Sequence, residues 1–206
     1  MMQDGDGILG VVLAGGLSRR MGGGDKGLSE LGGRTILERI VRRIGPQVDE
    51  LVLNANGDAA RFAALGVPVV PDNVADFPGP LAGVLAALDH AAARGIPDVV
   101  AVPCDAPFLP ADLVRRLRDG APEGRGAVAV SAGRRHPAVA LWPVGLRGAL
   151  RTALVEEGQR RVEIILRRHD FAEIHWPAEP FDPFVNVNDR EGLAQAAFLL
   201  ARWPDA

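Results

Sequence analysis

Among its 206 residues the chain has one cysteine and one lysine. No apolar run approaches the ~18 residues that a membrane-spanning helix needs. A single Cys104 excludes an internal disulfide. Placed between Pro103 and Asp105 at the end of a strand pattern, it reads as a small buried packing residue, with a catalytic nucleophile as the sharper alternative. The chain opens on MMQDGDG, which is acidic and lacks a cationic leader region, so neither secretion nor membrane insertion is expected and the cytoplasm is the expected compartment. Residues 1–7 read as a disordered end, and the Asp4-Gly5-Asp6 triplet there carries no metal reading. An excess of positive charge is also missing. A net charge of -3 gives no electrostatic footprint for nucleic acid or an anionic membrane. His169 and His175 lack the spacing of metal ligands and are expected to be solvated. With 48% hydrophobic and 24% charged residues, 1–206 reads as one ordinary globular domain.

The scarcity of lysine locates the chemistry. Of 23 basic residues 22 are Arg, and the exception, Lys26, lies inside the stretch LAGGLSRRMGGGDKG at 13–27, where six of fifteen residues are Gly. Glycine lets the backbone approach a ligand closely, and successive exposed N–H groups make an anion-binding concavity. Arg19, Arg20 and Lys26 add three cations, a density suited to a nucleoside triphosphate. A compact ammonium and a planar guanidinium are not interchangeable against crowded phosphates. Two familiar loops are excluded. A Walker A loop needs Ser or Thr after its Lys, but Gly27 follows Lys26. Gly22, Gly24 and Gly27 spell G-x-G-x-x-G, yet too far beyond the strand, and the second strand ends in Asn54 where a dinucleotide fold needs an acidic residue.

Around this loop the pattern alternates strand and helix. Ile8 to Leu13 is a continuous apolar run, as in a strand buried on both faces of a parallel sheet. Thr35 and Glu38 form a capping-box pattern before a helix with Ile36, Leu37, Ile40, Val41 and Ile44 at helical spacing. Glu50 to Leu53 predicts a strand, followed by an Ala-rich helical segment to Leu65. Val67 to Val70, broken by Pro68, suits a sheet edge. Gly79-Pro80 opens a helix with Leu81, Val84, Leu85 and Leu88 on its buried stripe, closed by Gly95. Val99 to Val102 predicts a central strand. Leu113 and Leu117 mark a helix ending at Gly120, and Val128 to Val130 and Ala138 to Trp142 mark further strands. Residues 147–168 read as Arg-rich helices, Phe184 to Asn188 as a strand with Asn186 and Asn188 facing inward, and Asn188 with Glu191 as the cap of a last helix. The fold class is α/β, a three-layer arrangement with a mainly parallel twisted sheet and helices on both faces.

Asp72 and Asp105 both follow strands, at the sheet edge that carries the glycine loop. Carboxylates repel a triphosphate unless a hard cation lies between, and magnesium takes one or two carboxylates plus phosphate oxygens. Asp105 is read as the metal ligand, and Asp72 as a nucleotide contact or a turn cap. Gly79 and Gly83, at a helix N-terminus, face an anion or simply start a helix. Arg160 and Arg161 open a helix at its positive end, where they gain nothing from the dipole, while Arg167 and Arg168 near its end read as a solvated face. His136 is read as a turn residue.

The string LAGG with Arg19, Met21-Gly22 and Asp25-Lys26 resembles the nucleotidyltransferases, most closely the molybdenum cofactor guanylyltransferases. Further matches are Val52, Asn54 and Asn56, Asp72, FPGPLAG at 77–83, PCDAPF at 103–108, HPAVAL at 136–141 and FVNVN at 184–188, in one consistent order over nearly the whole chain. The resemblance implies a Rossmann-like nucleotidyltransferase fold and transfer of GMP from GTP to molybdopterin, with or without molybdenum, releasing pyrophosphate. It implies Lys26, Arg19 and Asp105 as catalytic residues and Mg2+ held by Asp105. Nucleotide contacts would come from Leu13, Ala14, Gly15, Gly16, Lys26, Asn54, Asp72, Gly79 and Asp105. Gly83, Arg160, Arg161, Asn186 and Asn188 would meet the second substrate. Such a transfer needs no protein nucleophile, which returns Cys104 to packing. Transient contacts with other cofactor-biosynthesis proteins or acceptor enzymes are also implied. The alternatives are a CTP-dependent molybdopterin cytidylyltransferase, for which the resemblance associates Gly16 with the guanine enzymes, a sugar-phosphate nucleotidyltransferase, and a nucleotide-binding regulator without catalysis.

Overall fold

The structure, a computed structural model, describes residues 7–15, 26–74 and 79–204. Gly16, Arg19, Arg20, the 21–25 segment with its glycines, Phe77 and the Asp4-Gly5-Asp6 triplet lie outside the described residues. One seven-stranded sheet organises the chain. Its strands are β1 (Ile8–Leu13), β4 (Glu50–Asn54), β5 (Val69–Val70), β6 (Asp98–Pro103), β7 (Ala127–Ser131), β8 (Arg134–Pro143) and β9 (Ala172–Trp176), in the order β5-β4-β1-β6-β8-β7-β9. Only β8 runs antiparallel to its neighbours. A separate hairpin pairs β2 (Glu30–Leu31) with β3 (Arg34–Thr35).

Strand alternation sorts the core into two layers. Ile8 and Val12 of β1 join Ile36, Leu37 and Ile40 of α1 (Ile36–Ile44), Leu113 and Leu117 of α3 (Leu113–Gly120) and Leu199 of α6 (Arg190–Arg202) on one face. Leu9, Val11 and Leu13 join Leu81, Leu85 and Leu88 of α2 (Pro80–Ala93), Leu150 of α4 (Arg147–Val155) and Ile165 of α5 (Val162–Arg168) on the other. Every residue of β1 is buried, as its unbroken apolar run requires when helices cover both faces. Helix α1 starts at the expected capping box, in which Thr35 Oγ1 accepts from the Glu38 N–H while the Glu38 carboxylate accepts from the Thr35 N–H.

Several local expectations differ from what forms. Ala59–Leu65 is a 3-10 helix, capped by Asp58 and closed by Gly66 at φ 66. The expected strand at 184–188 is an irregular segment, in which Val187 is buried and Asn186 and Asn188 are exposed. The last helix is capped by Asp189, whose carboxylate accepts from the Gly192 N–H, and not by Asn188. Strand β8 begins at Arg134, so His136 belongs to a strand and not to a turn. The turn is Ala132-Gly133, both at positive φ, as a two-residue hairpin loop requires.

Candidate active site

Strands β1, β4 and β6 are parallel and end together, and their last residues Leu13, Asn54 and Pro103 line one cavity of about 270 Å³. Chain order explains the crevice. The path moves outward from β1 through α1 to β4 and β5, then returns beneath α2 to β6 on the other side of β1, so the connections diverge at that point. The backbone ladder continues one step past the strands, with the Ala14 N–H donating to the Asn54 carbonyl at 2.8 Å and the Cys104 N–H to the Leu13 carbonyl at 3.1 Å. Leu13, Ala14, Gly15, Asn54 and Gly79 therefore line the same space as Lys26 and Asp105.

Lys26 opens a short 3-10 turn, Lys26–Leu28, held against the site by a close approach at Gly27. A Cβ at Gly27 would lie 2.5 Å from Leu37 Cγ and 3.3 Å from the Cys104 carbonyl oxygen, so only glycine fits. The Lys26 ammonium donates to Asn188 Oδ1 at 2.9 Å. Asp105 follows β6 and is half-buried, and its Oδ1 is buried with no hydrogen-bond partner. Burial pushes its carboxyl up from the ordinary value, and the nearby Lys26 charge works in the opposite direction. An orphaned, partly desolvated carboxylate beside an ammonium is what a hard divalent cation and a polyphosphate would together satisfy. Among the described residues no group of three His, Cys, Asp or Glu could hold a metal ion, so phosphate oxygens would complete the coordination. Cys104 is half-buried and lines the cavity, more open than a packing residue was expected to be.

Asp72 is tied to asparagines. Its Oδ1 accepts from Asn54 Nδ2 at 2.9 Å and its Oδ2 from Asn56 Nδ2 at 2.7 Å, while Asn56 Oδ1 accepts the Asp72 N–H. Asp72 is not among the cavity-lining residues; it fixes Asn54, which is buried and is one of them. Gly83 is likewise buried. A Cβ there would fall 2.1 Å from Asn54 Oδ1 and 2.9 Å from Leu13 Cδ2, so glycine at this position admits the Asn54 amide. Gly83→Ala should destabilise the fold by about 1–3 kcal/mol through overpacking, read as a lower urea midpoint. Gly79 sits at φ 148 as the N-cap of α2, with Pro80 at the first helical position, and both line the cavity at the helix's positive end.

Of the remaining predicted positions, Asn188 is tied by a hydrogen bond to a cavity residue, Lys26. The Val187 N–H donates to the Asp105 carbonyl at 2.8 Å, docking 184–188 onto the metal-ligand candidate's loop. Val187 points into the core, so Asn186 and Asn188 face outward, the reverse of the inward amides expected. Asn188 reaches the cavity through Lys26. Arg160 and Arg161 are exposed, and both backbone N–H groups donate to Gln159 Oε1 at 3.0 Å. Arg147 and Arg151 pair with Asp89 near the far end of α2. Arg167 pairs with Glu163 and Arg168 with Glu157, as a solvated face.

Sequence reasoning undervalued His136. Its Nε2 lies 2.7 Å from Ser131 Oγ, which donates to Asp182 Oδ1 at 2.7 Å, and its ring stacks on Phe184 with centroids 4.6 Å apart. Because the hydroxyl proton goes to Asp182, the histidine must donate through Nε2. Burial pushes its pKa down, opposed by Asp182 and reinforced by Arg134. Pairing shifts register beside it: Val128 faces Ala140 but Ala129 faces His136, so the 137–139 segment bulges and places Ala138 in the cavity wall. The signal was Pro137, which a regular inner strand does not admit.

Comparison with known proteins gives the same placement. The model of the MobA-like NTP transferase domain matches residues 10–172. The molybdenum cofactor guanylyltransferase of Nitrobacter hamburgensis is 53% identical over 196 residues, 93% of this chain and 94% of that protein. Among solved structures, the molybdopterin-guanine dinucleotide biosynthesis protein A of Archaeoglobus fulgidus shares the fold at 21% identity and a TM-score of 0.70, over 95% of this chain and 99% of that one. A Mycobacterium tuberculosis protein crystallised as a manganese complex does so at 23% identity and a TM-score of 0.67, over 93% and 98%. A shared alternation of strands and helices, a glycine loop after β1 and a match over most of the chain lead to one conclusion: this protein belongs to the MobA-like NTP transferase family.

Proposed function

We propose that the chain transfers GMP from GTP to molybdopterin or molybdenum-molybdopterin, releasing pyrophosphate. The observation that carries this reading is the single cavity shared by Lys26, the unpartnered carboxylate oxygen of Asp105 and the N-terminus of α2. A phosphate oxygen of molybdopterin attacks the α-phosphorus of GTP, the bond from that phosphorus to the β-phosphate oxygen breaks, and pyrophosphate leaves. Two polyanions meet in this step, so positioning and fixed positive charge matter more than an acid–base pair.

Lys26, oriented by Asn188, offsets charge on the transferred and leaving phosphates, with Arg19 contributing from the glycine loop. The N-terminal end of α2 would donate backbone N–H hydrogen bonds to phosphate oxygens at the helix's positive end. Asn54 and the backbone of Leu13 to Gly16 hold the nucleoside, and Asp72 keeps Asn54 in place. Asp105 would hold the divalent ion, for which we favour Mg2+; when bound, such an ion supplies a Lewis acid that screens the phosphate oxygens. Arg160, Arg161, Asn186 and Asn188 would receive the pterin phosphate and ring edge, a reading supported for Asn188 by its hydrogen bond to Lys26. The family relatives named as guanylyltransferases support GTP as the donor. A pyrophosphate-release assay with molybdopterin and magnesium tests this: GTP should be turned over and CTP should not. Preference for CTP would reassign the base, and turnover with sugar phosphates in place of the pterin would reassign the acceptor.

A further inference from the structure

On the outer side of α1, away from the active-site cavity, a second space of about 250 Å³ is lined by Arg34, Arg39, Arg42, Arg43, Pro107 and Pro204. Arg39, Arg42 and Arg43 are spaced i, i+3 and i+4 and so share one helix face, an arrangement in which like charges repel. Arg34 joins them from β3. Among the described residues none of the four lies within 4 Å of a carboxylate, although nine other arginines do. The nearest acidic influence is Glu38, whose carboxylate is engaged with the Thr35 N–H in the capping box.

Ordinary structural roles account for part of this cluster. Arg39 donates through Nε to the Leu31 carbonyl at 2.7 Å and through Nη2 to the Gly32 carbonyl at 2.9 Å, holding the β2–β3 hairpin. Arg43 donates through Nε to the Leu109 carbonyl at 2.7 Å. Position in the last turn of α1 gives Arg42 and Arg43 a favourable dipole. None of this explains why Arg34 and Arg42 converge on the same space, or why the guanidinium forks of Arg39 and Arg43 keep most of their donors unused. Burial and then the charge of Arg34 depress the pKa of Arg39, and burial and then the charge of Arg39 depress that of Arg43, as expected for like charges held close together.

We infer that this arginine-lined cavity is a second anion site, which binds a compact multivalent oxyanion of the phosphate class. Guanidinium forks match phosphate oxygens two at a time, and several converging on one centre distinguish a phosphate from a chloride or a single carboxylate. The recess, whose volume equals about eight waters at ~30 Å³ each, admits phosphate or pyrophosphate and is too small for an extended acidic peptide. The two prolines wall the space without contributing a competing N–H donor.

The test is calorimetric titration of inorganic pyrophosphate, without divalent metal, into the Lys26→Ala protein, so that the active-site cation does not contribute. One equivalent should bind. Adding Arg34→Gln and Arg42→Gln, both at exposed positions, should weaken binding at least tenfold while the circular dichroism melt stays that of a folded protein. If the pair perturbs folding, Arg42→Gln alone should still weaken binding severalfold. Failure of the Lys26→Ala protein to bind, equal binding with and without the arginines, or binding of poly-glutamate in place of pyrophosphate would each overturn the inference. Loss of GMP transfer in the Lys26→Ala protein bears only on the active site and leaves this comparison intact.

Discussion

Lys26→Ala lowers the turnover of GMP transfer by about 10²-fold, equivalent to roughly 3 kcal/mol of transition-state stabilisation, by analogy with loss of one preorganised donor. The expected magnitude follows from the position of the ammonium and not from its charge alone. It is anchored to Asn188 and shares the cavity with Asp105, so it is already oriented when the phosphates arrive. Lys26→Arg should also be impaired, because a planar fork anchored beside Gly27 cannot place a compact charge at the same point. Steady-state kinetics with saturating GTP and pterin measures the effect, and the melting temperature should be near that of the wild type.

Asp105→Asn produces a larger kinetic loss, about 10³-fold, together with a gain in stability of the metal-free protein. The two effects have one cause. Asp105 carries a buried carboxylate oxygen with no partner, and burial raises its pKa while Lys26 only partly compensates. A carboxyl whose folded pKa is raised favours folding below its unfolded value, and that contribution is lost as pH rises through the folded pKa. At neutral pH the charged form therefore costs stability. Replacing it with a neutral amide should stabilise the protein by about 1 kcal/mol, or about 2–4 °C in melting temperature. The difference should vanish in acid, where the wild-type carboxyl is itself protonated. Calorimetric melts across the acidic range without divalent metal, alongside kinetics, measure both parts.

How far the sequence could be read depended on whether each signal was local. The run Ile8 to Leu13 and the Thr35–Glu38 capping box each specify an element within a few residues, and both appear as expected. The rarity of lysine singled out Lys26, and the position after a strand singled out Asp105; the parallel sheet then brings them together, because β1 and β6 are neighbours. What could not be read depends on distant partners. Alternation at 184–188 put Asn186 and Asn188 on one face, but whether that face is inward depends on Val187 docking against Asp105, eighty-odd residues earlier in the chain. Gly83 was legible as part of a helix start, but its close packing against the Asn54 side chain depends on a strand far earlier in the chain. His136 looked like a turn residue because its bulge exists only in the pairing with β7. Asn188 and Asp189 are adjacent and both are good caps, so only the tertiary pull of Lys26 on Asn188 decides between them.

The central claim is that one pocket neutralises a polyphosphate through an ammonium and a carboxylate-held divalent ion. Calorimetric titration of GTP with and without magnesium, into the wild type and into Asp105→Asn, tests it most directly. Magnesium should strengthen GTP binding at least tenfold in the wild type and have little effect in Asp105→Asn. An equal magnesium effect in both proteins would contradict the account.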